Sequence, residues 1–174
     1  MELEHHQLDL RYEALRVRRP DRERQLLASL AEHGQQVSIV VVAGDRAGRY
    51  VIVDGFKRVR SLSRLGQDAV AATVWDMTEV DALLLSRALR STDAESALEQ
   101  GWLLARLASS FGMAQEELAR RFDRSPSWVS RRLALVSELP LAVQEEVRRG
   151  RIGAHAAMKH LVDRPGSCCA HAGI

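Results

Sequence analysis

Residues 115–133 read Gln115-Glu116-Glu117-Leu118-Ala119-Arg120-Arg121-Phe122-Asp123-Arg124-Ser125-Pro126-Ser127-Trp128-Val129-Ser130-Arg131-Arg132-Leu133. The spacing of Leu118, Phe122, Val129 and Leu133 predicts two short helices sharing one apolar core, with the small Ala119 where they cross. Ser125 suits the cap of the second helix and Pro126 its first turn. Asp123 stands at the turn, where glycine is common, and Asp tolerates left-handed backbone better than most residues. This is a helix-turn-helix pattern, whose second helix would enter a major groove N-terminus first. Ser127, Trp128, Ser130 and Arg131 are then the candidates to face base edges or nearby phosphates. Arg120, Arg121, Arg124 and Arg132 are candidates for backbone contact, and Gln115 and Ser125 complete the proposed DNA-binding set. The blander reading is a helical bundle with solvated arginines. Five Arg and a single Asp between Arg120 and Arg132 favour the polyanion reading. Trp128 keeps both readings, contact residue or core residue.

Outward from this stretch the second half of the chain is helical. Helices are predicted over 80–88, 96–111, 141–149 and 154–162, the second carrying Trp102, Leu103, Leu107 and Phe111 at helical spacing. Residues 163–174 read as a disordered tail. Charge is unevenly placed: residues 101–174 hold 11 basic and 7 acidic side chains, a net +4, whereas residues 1–100 hold 14 and 16, a net −2. The second half is therefore the better candidate for meeting a nucleic acid.

The first half has a different texture. An edge strand is expected within 8–11 and a helix over 20–33, with Leu26, Leu27, Leu30 and Ala31 as its apolar stripe and Gly34 as its stop. Two β-branched runs, 37–43 and 49–53, are joined by Gly44-Asp45-Arg46-Ala47-Gly48 and predict a hairpin buried on both faces or nearly so. A second helix follows Asp54-Gly55, with Val59, Leu62 and Ser63 facing inward and Gly66 ending it; residues 69–75 predict a third strand. The fold class is α+β: a small mixed α/β domain over 1–90, then an all-α helix-turn-helix domain over 91–162, with the linker near 90–94. Where strand gives way to helix, Gly55 lets a ligand approach the backbone, the helix start offers free N–H groups, and Lys57 and Arg58 bring positive charge. That combination makes a candidate phosphate cradle.

Other chemistries find little support. The chain has 174 residues, 46% hydrophobic and 28% charged, with no apolar run long enough to span a bilayer. Its N-terminus lacks the pattern of a signal peptide, so the expected compartment is the cytoplasm, with the nucleoid as the place of work. Cys168 and Cys169 fit neither a disulfide framework nor a zinc knuckle. The six histidines do not combine with Cys or acidic residues at ligand spacing, and neither a metal site nor a catalytic constellation is expected.

Gly55-Phe56-Lys57-Arg58-Val59-Arg60-Ser61, followed by Leu65-Gly66 and a strand, resembles the Gly-Glu-Arg-Arg-x-Arg-Ala box of the ParB partition protein family. Residues 111–119, 125–135, Leu139-Pro140, Val143-Gln144-Glu145, Gly150-Arg151-Ile152 and Ala154-His155-Ala156 are similar to that family's central domain. The resemblance covers about residues 7–162. It implies a CTP-binding first domain, a second domain reading a palindromic duplex as a homodimer, CTP and Mg2+ closing the dimer as a clamp, and a partner ATPase of the ParA type. By the same resemblance Gly34, Gly55, Lys57, Arg58 and Arg60 are the nucleotide-binding residues. Three departures stand against an active hydrolase. Val37 and Ser38 replace a usual Gln-Pro, Phe56 replaces the acidic residue associated with hydrolysis, and Ala88-Leu89-Arg90-Ser91-Thr92 has no carboxylate to hold Mg2+. The family's C-terminal dimerisation domain is not expected after Val162. The expectation is a sequence-specific DNA-binding protein with a degenerate nucleotide pocket, acting in partition, regulation or a mobile element; the alternative is a CTP-binding switch that loads on DNA.

Overall fold

The computed structural model describes residues 1–90 and 95–161, with side chains as far as Met158 in the last helix. Ser91 and Thr92, most of the expected linker, His171, the Cys pair and the expected tail lie outside the described residues, as does the side chain of His160. The chain forms two compact units, Met1–Ala94 and Glu95–Ile174.

The first unit is built on a five-stranded mixed sheet of order β1-β5-β3-β4-β2. Its strands are β1 (Glu2–Glu4), β2 (Leu8–Asp9), β3 (Ile39–Ala43), β4 (Tyr50–Asp54) and β5 (Ala69–Val74). The β3–β4 hairpin is antiparallel, Val41 opposite Ile52 and Val42 opposite Val51, and β5 lies parallel on the other side of β3. Ile39, Val41, Val42, Val51, Ile52 and Val53 are all buried, as expected for β-branched runs covered on both faces. The expected edge strand shrinks to β2, two residues long and parallel to β4. The opposite edge carries a strand that the sequence did not suggest: β1 pairs antiparallel with β5, Leu3 opposite Val70. Three residues, Glu-Leu-Glu, are too few to show an alternation.

Helices α1 (Pro20–His33), α2 (Phe56–Arg64) and α3 (Glu79–Leu89) complete this unit, and α1 packs on α2. In α2 the inward polar residue is Ser61, on the flank of the helix away from Val59, and the expected Ser63 is exposed although the helical period places it nearer Val59. In α1 the expected stripe is narrower, with Leu30 buried and Ala31 exposed, and a carboxylate, Glu23, takes a buried place. Strand β3 begins at Ile39, leaving Val37 exposed. The segment before it is instead held by Gln35, whose amide nitrogen donates to Ala71 O and whose amide oxygen accepts from Ala71 N, both at 2.8 Å. Arg11 gathers Asp9 at 2.7 Å, Asp45 at 3.1 Å and Glu79 at 3.4 Å, tying the N-terminal segment to the hairpin and to the start of α3.

The second unit contains α4 (Ala97–Phe111), α5 (Gln115–Arg121), α6 (Pro126–Glu138), α7 (Leu141–Arg148) and α8 (Ala154–Leu161). Helix α4 starts at a capping box, in which Ser96 Oγ accepts from Glu99 N and the Glu99 carboxylate accepts from Ser96 N. Trp102, Leu103 and Leu107 are buried, while Phe111 at the end of the helix is exposed. The α4–α6 crossing is close because Gly101 sits in it: a Cβ there would lie 2.6 Å from Arg132 O and 2.7 Å from Val136 Cγ2. Gln144 is buried at the meeting of α4, α6 and α7. Its side chain accepts from Trp102 Nε1 at 2.7 Å and donates to Val136 O and Leu139 O.

Candidate functional site

The turn between α5 and α6 follows from one residue. Asp123 has φ 52°, the only positive φ outside glycine among the described residues. That left-handed step lets Asp123 N donate to Arg120 O and Arg124 N to Ala119 O, so the last carbonyls of α5 are satisfied before the chain reverses. Ser125 then caps α6, its hydroxyl accepting from Trp128 N at 3.2 Å, and Pro126 occupies the first turn. Leu118, Ala119, Phe122 and Val129 form the buried seam; Leu133 is half-buried at its end.

The sequence-predicted contact residues divide into two groups. Arg120, Arg124, Ser127, Ser130 and Arg131 are exposed, and Arg120 and Arg131 have no carboxylate partner among the described residues. The others have internal work. Gln115 donates to Pro126 O at 2.8 Å and holds the start of α6 against α5. Arg132 is half-buried, its Nε donating to Gln100 Oε1 at 2.9 Å on α4. Partial burial, and then the charge of Arg131, pull the Arg132 guanidinium below its ordinary pKa. Trp128 is half-buried, its ring 6.0 Å from that of Phe122, with Arg132 Cζ 5.1 Å and Arg124 Cζ 5.8 Å from its centroid. The contact and core readings of Trp128 thus meet in one residue.

In the first unit the candidate cradle is assembled from two segments. Gly55 caps α2 with φ 102°, and a Cβ there would stand 2.6 Å from Ile39 Cγ2, so only glycine fits where β4 passes into α2 beside β3. Gly34, also at positive φ, ends α1. Arg58 Nη1 donates to Ser38 O at 3.3 Å, which joins the 34–38 loop to the start of α2. Lys57 is half-buried and pairs with no carboxylate among the described residues. Phe56 points into the core. Arg60 lies apart from this group: it pairs with Glu13 and Glu23, and Glu23 pairs in turn with Arg18 at 2.8 Å. Burial raises the Glu23 carboxyl, but hydrogen bonds from Arg18 and Arg60 outweigh it and hold the group below the usual carboxylate range. Of the five sequence-predicted nucleotide residues, the fold brings Gly34, Gly55, Lys57 and Arg58 around one loop and one helix start, while Arg60 is spent on carboxylates. A buried Glu in an amphipathic helix was the signal that sequence reasoning missed. No cluster of His, Cys, Asp and Glu able to hold a metal occurs among the described residues.

The family model of the ParB N-terminal domain matches residues 1–88, and that of the ParB HTH domain matches residues 94–164. The chain belongs to the ParB family. A nucleoid occlusion protein of Bacillus licheniformis is 30% identical to this ParB-family chain over 131 residues, 74% of this chain and 46% of that protein. A solved structure of the C-terminally truncated chromosome-partitioning protein ParB from Caulobacter crescentus, complexed with CTP-gamma-S, is 26% identical, with a TM-score of 0.47 over 91% of this chain and 89% of that one. A Pnob8-like ParB-N domain shares the fold at 16% identity, with a TM-score of 0.52 over 94% of this chain and 73% of that one. The chain spans about half the length of the curated relatives it matches. No helix among the described residues is long and apolar enough to cross a membrane.

Proposed function

We propose that this ParB-family chain is a sequence-specific reader of double-stranded DNA, acting on the nucleoid in the cytoplasm, in partition, regulation or a mobile element. The observation that carries the reading is that Arg120 on α5 and Arg131 on α6 are exposed with no carboxylate partner among the described residues, presented by a helix-turn-helix whose second helix is capped by Ser125 and exposed at Ser127. Ser127, Ser130 and Arg131 are the base-facing residues in this reading; Arg120 and Arg124 bind phosphates. Two copies of the chain read a palindromic site, and a ParA-type ATPase is the expected partner. The test is duplex binding as a function of salt. Arg131→Ala should lower discrimination between sites, and Arg120→Ala should weaken all sequences alike. Equal affinity of the parent protein for every duplex would overturn the specific-reader claim.

A second reading, a CTP-binding switch, is favoured by the cradle: Gly55 pressed against Ile39, Arg58 tied to Ser38 and Lys57 available beside them. In this reading the backbone N–H groups at the start of α2, with Lys57 and Arg58, hold the phosphates. Phe56 offers no acid, base or metal ligand, so the pocket binds without efficient hydrolysis. Labelled CTP, with and without Mg2+ and against ATP and GTP, tests it: selective binding lost in Arg58→Ala supports the switch, and no binding leaves a DNA reader on a relict pocket.

A further inference from the structure

Trp128 occupies the third helical position of α6, where the helix-turn-helix reading alone would make it a base-reading candidate. Its surroundings give it a different role. One side of the indole is anchored on Phe122 in the α5–α6 seam. Over the ring lie two guanidinium groups eight residues apart in sequence, Arg124 from the turn and Arg132 from the next turn of α6. A guanidinium stacked on an aromatic ring is held by its face and keeps its N–H edge available. Arg132 spends Nε on the neutral acceptor Gln100 Oε1, and Arg124 spends one Nη on the carbonyl of Asp123 at 3.1 Å. Neither is paired with a carboxylate among the described residues, and exposed Arg131 adjoins them. The contrast with the first unit is sharp: Arg11, Arg18 and Arg60 all end on carboxylates. Cations drawn together on a ring and a neutral amide, with no acid to balance them, leave their charge for an external anion.

We infer that Trp128 is a positioning residue, holding Arg124 and Arg132 as a paired phosphate clamp at the start of α6 without itself reading a base. The inference rests on the DNA-binding reading for its ligand, whereas the geometry of the clamp can be tested without DNA.

The experiment compares wild type, Trp128→Leu, Trp128→Phe, Arg131→Ala, Arg124→Ala, Arg132→Ala and the Arg124→Ala/Arg132→Ala double variant in the full chain. Affinity is measured for a selected and a scrambled duplex across a salt series. Loss of two cation–π contacts in Trp128→Leu should weaken both duplexes by about 5- to 30-fold, and the ratio between the duplexes should stay as in wild type. The slope of log K against log salt should fall by about one to two, since each phosphate contact contributes about 0.9. Trp128→Phe should recover most of the slope, and adding Trp128→Leu to the double variant should cost little more. A changed ratio at unchanged slope would make Trp128 a base reader and overturn the clamp. In the free protein, the Arg132 Hε and Arg124 Hδ resonances should be shifted upfield by the indole and released in Trp128→Leu; normal shifts in wild type overturn the clamp even where duplex binding stands. Failure of wild type to bind any duplex, with those shifts present, overturns the DNA reading and the clamp's ligand while leaving its geometry intact.

Discussion

Gly101 and Gln144 decide how closely the helices of the second unit pack. A methyl group on Gly101 would stand 2.6 Å from the backbone oxygen of Arg132, which cannot move without shifting α6. Gly101→Ala should therefore destabilise the second unit by about 1–3 kcal/mol, although Ala is the better helix former. Urea unfolding followed by the helical signal checks this, and a more stable variant would mean that the crossing is looser than described. Gln144 is a buried polar hub whose loss strands the Trp102 indole N–H. Gln144→Leu should cost about 2 kcal/mol or more, since an unsatisfied buried donor carries its full desolvation penalty. A thermal melt within a degree of wild type would show that Trp102 finds another acceptor.

At the scale of elements, α1 and α2 are coupled by charge as well as by apolar packing. Glu23 on α1 accepts from Arg60 on α2 and from Arg18 just before α1, and its folded pKa lies below the usual value of about 4.3. A carboxylate with a depressed folded pKa stabilises the fold fully above its unfolded pKa, and this contribution is lost as pH falls through about 4.3 toward the folded value. Wild type should lose stability on acidification through that window. Glu23→Gln should be less stable at pH 7 and show a shallower acid limb, so that the two melting curves approach each other as pH falls through and below that window. Parallel curves over pH 3–7 would show that the pair contributes nothing beyond packing. The same network explains why Arg60 does not join Lys57 and Arg58: its guanidinium is the tie between two helices.

For the whole molecule, two units imply two separable responses to ligands. A ligand that binds only the folded form stabilises the unit it binds, by about 2.7 kcal/mol at 100 times its Kd. Under the proposed reading a duplex should raise the unfolding transition of the helical unit, and CTP that of the sheet unit. Arg58→Ala should abolish the CTP response and spare the duplex response, and Arg120→Ala should reduce only the latter. Calorimetry of the full chain reads both; a variant that moves both responses together would show that the two activities are not assigned to separate units.

Local signals carried much of this protein. The Leu118, Phe122 and Val129 spacing, the Ser125-Pro126 start and the left-handed Asp123 are properties of a few neighbouring residues, and each appears in the structure as the sequence implies. The β3–β4 hairpin was legible for the same reason, because a β-branched run buried on both faces has no polar alternation to confuse it. What local pattern could not supply was partnership at a distance. Strand β1 exists because Leu3 meets Val70, sixty-seven positions later, and Arg60 leaves the cradle because Glu13 and Glu23 arrive beside it. Gln115 turns inward because Pro126 O stands within hydrogen-bond reach, and Arg132 is fixed at its Nε by Gln100. The sequence by itself determined the helices, the β3–β4 hairpin and the family, since caps, turns and apolar periods are encoded within a few residues. Only the tertiary structure decided which arginines are free for an anion, because a charge is spent or available according to the partners that folding brings within about 4 Å.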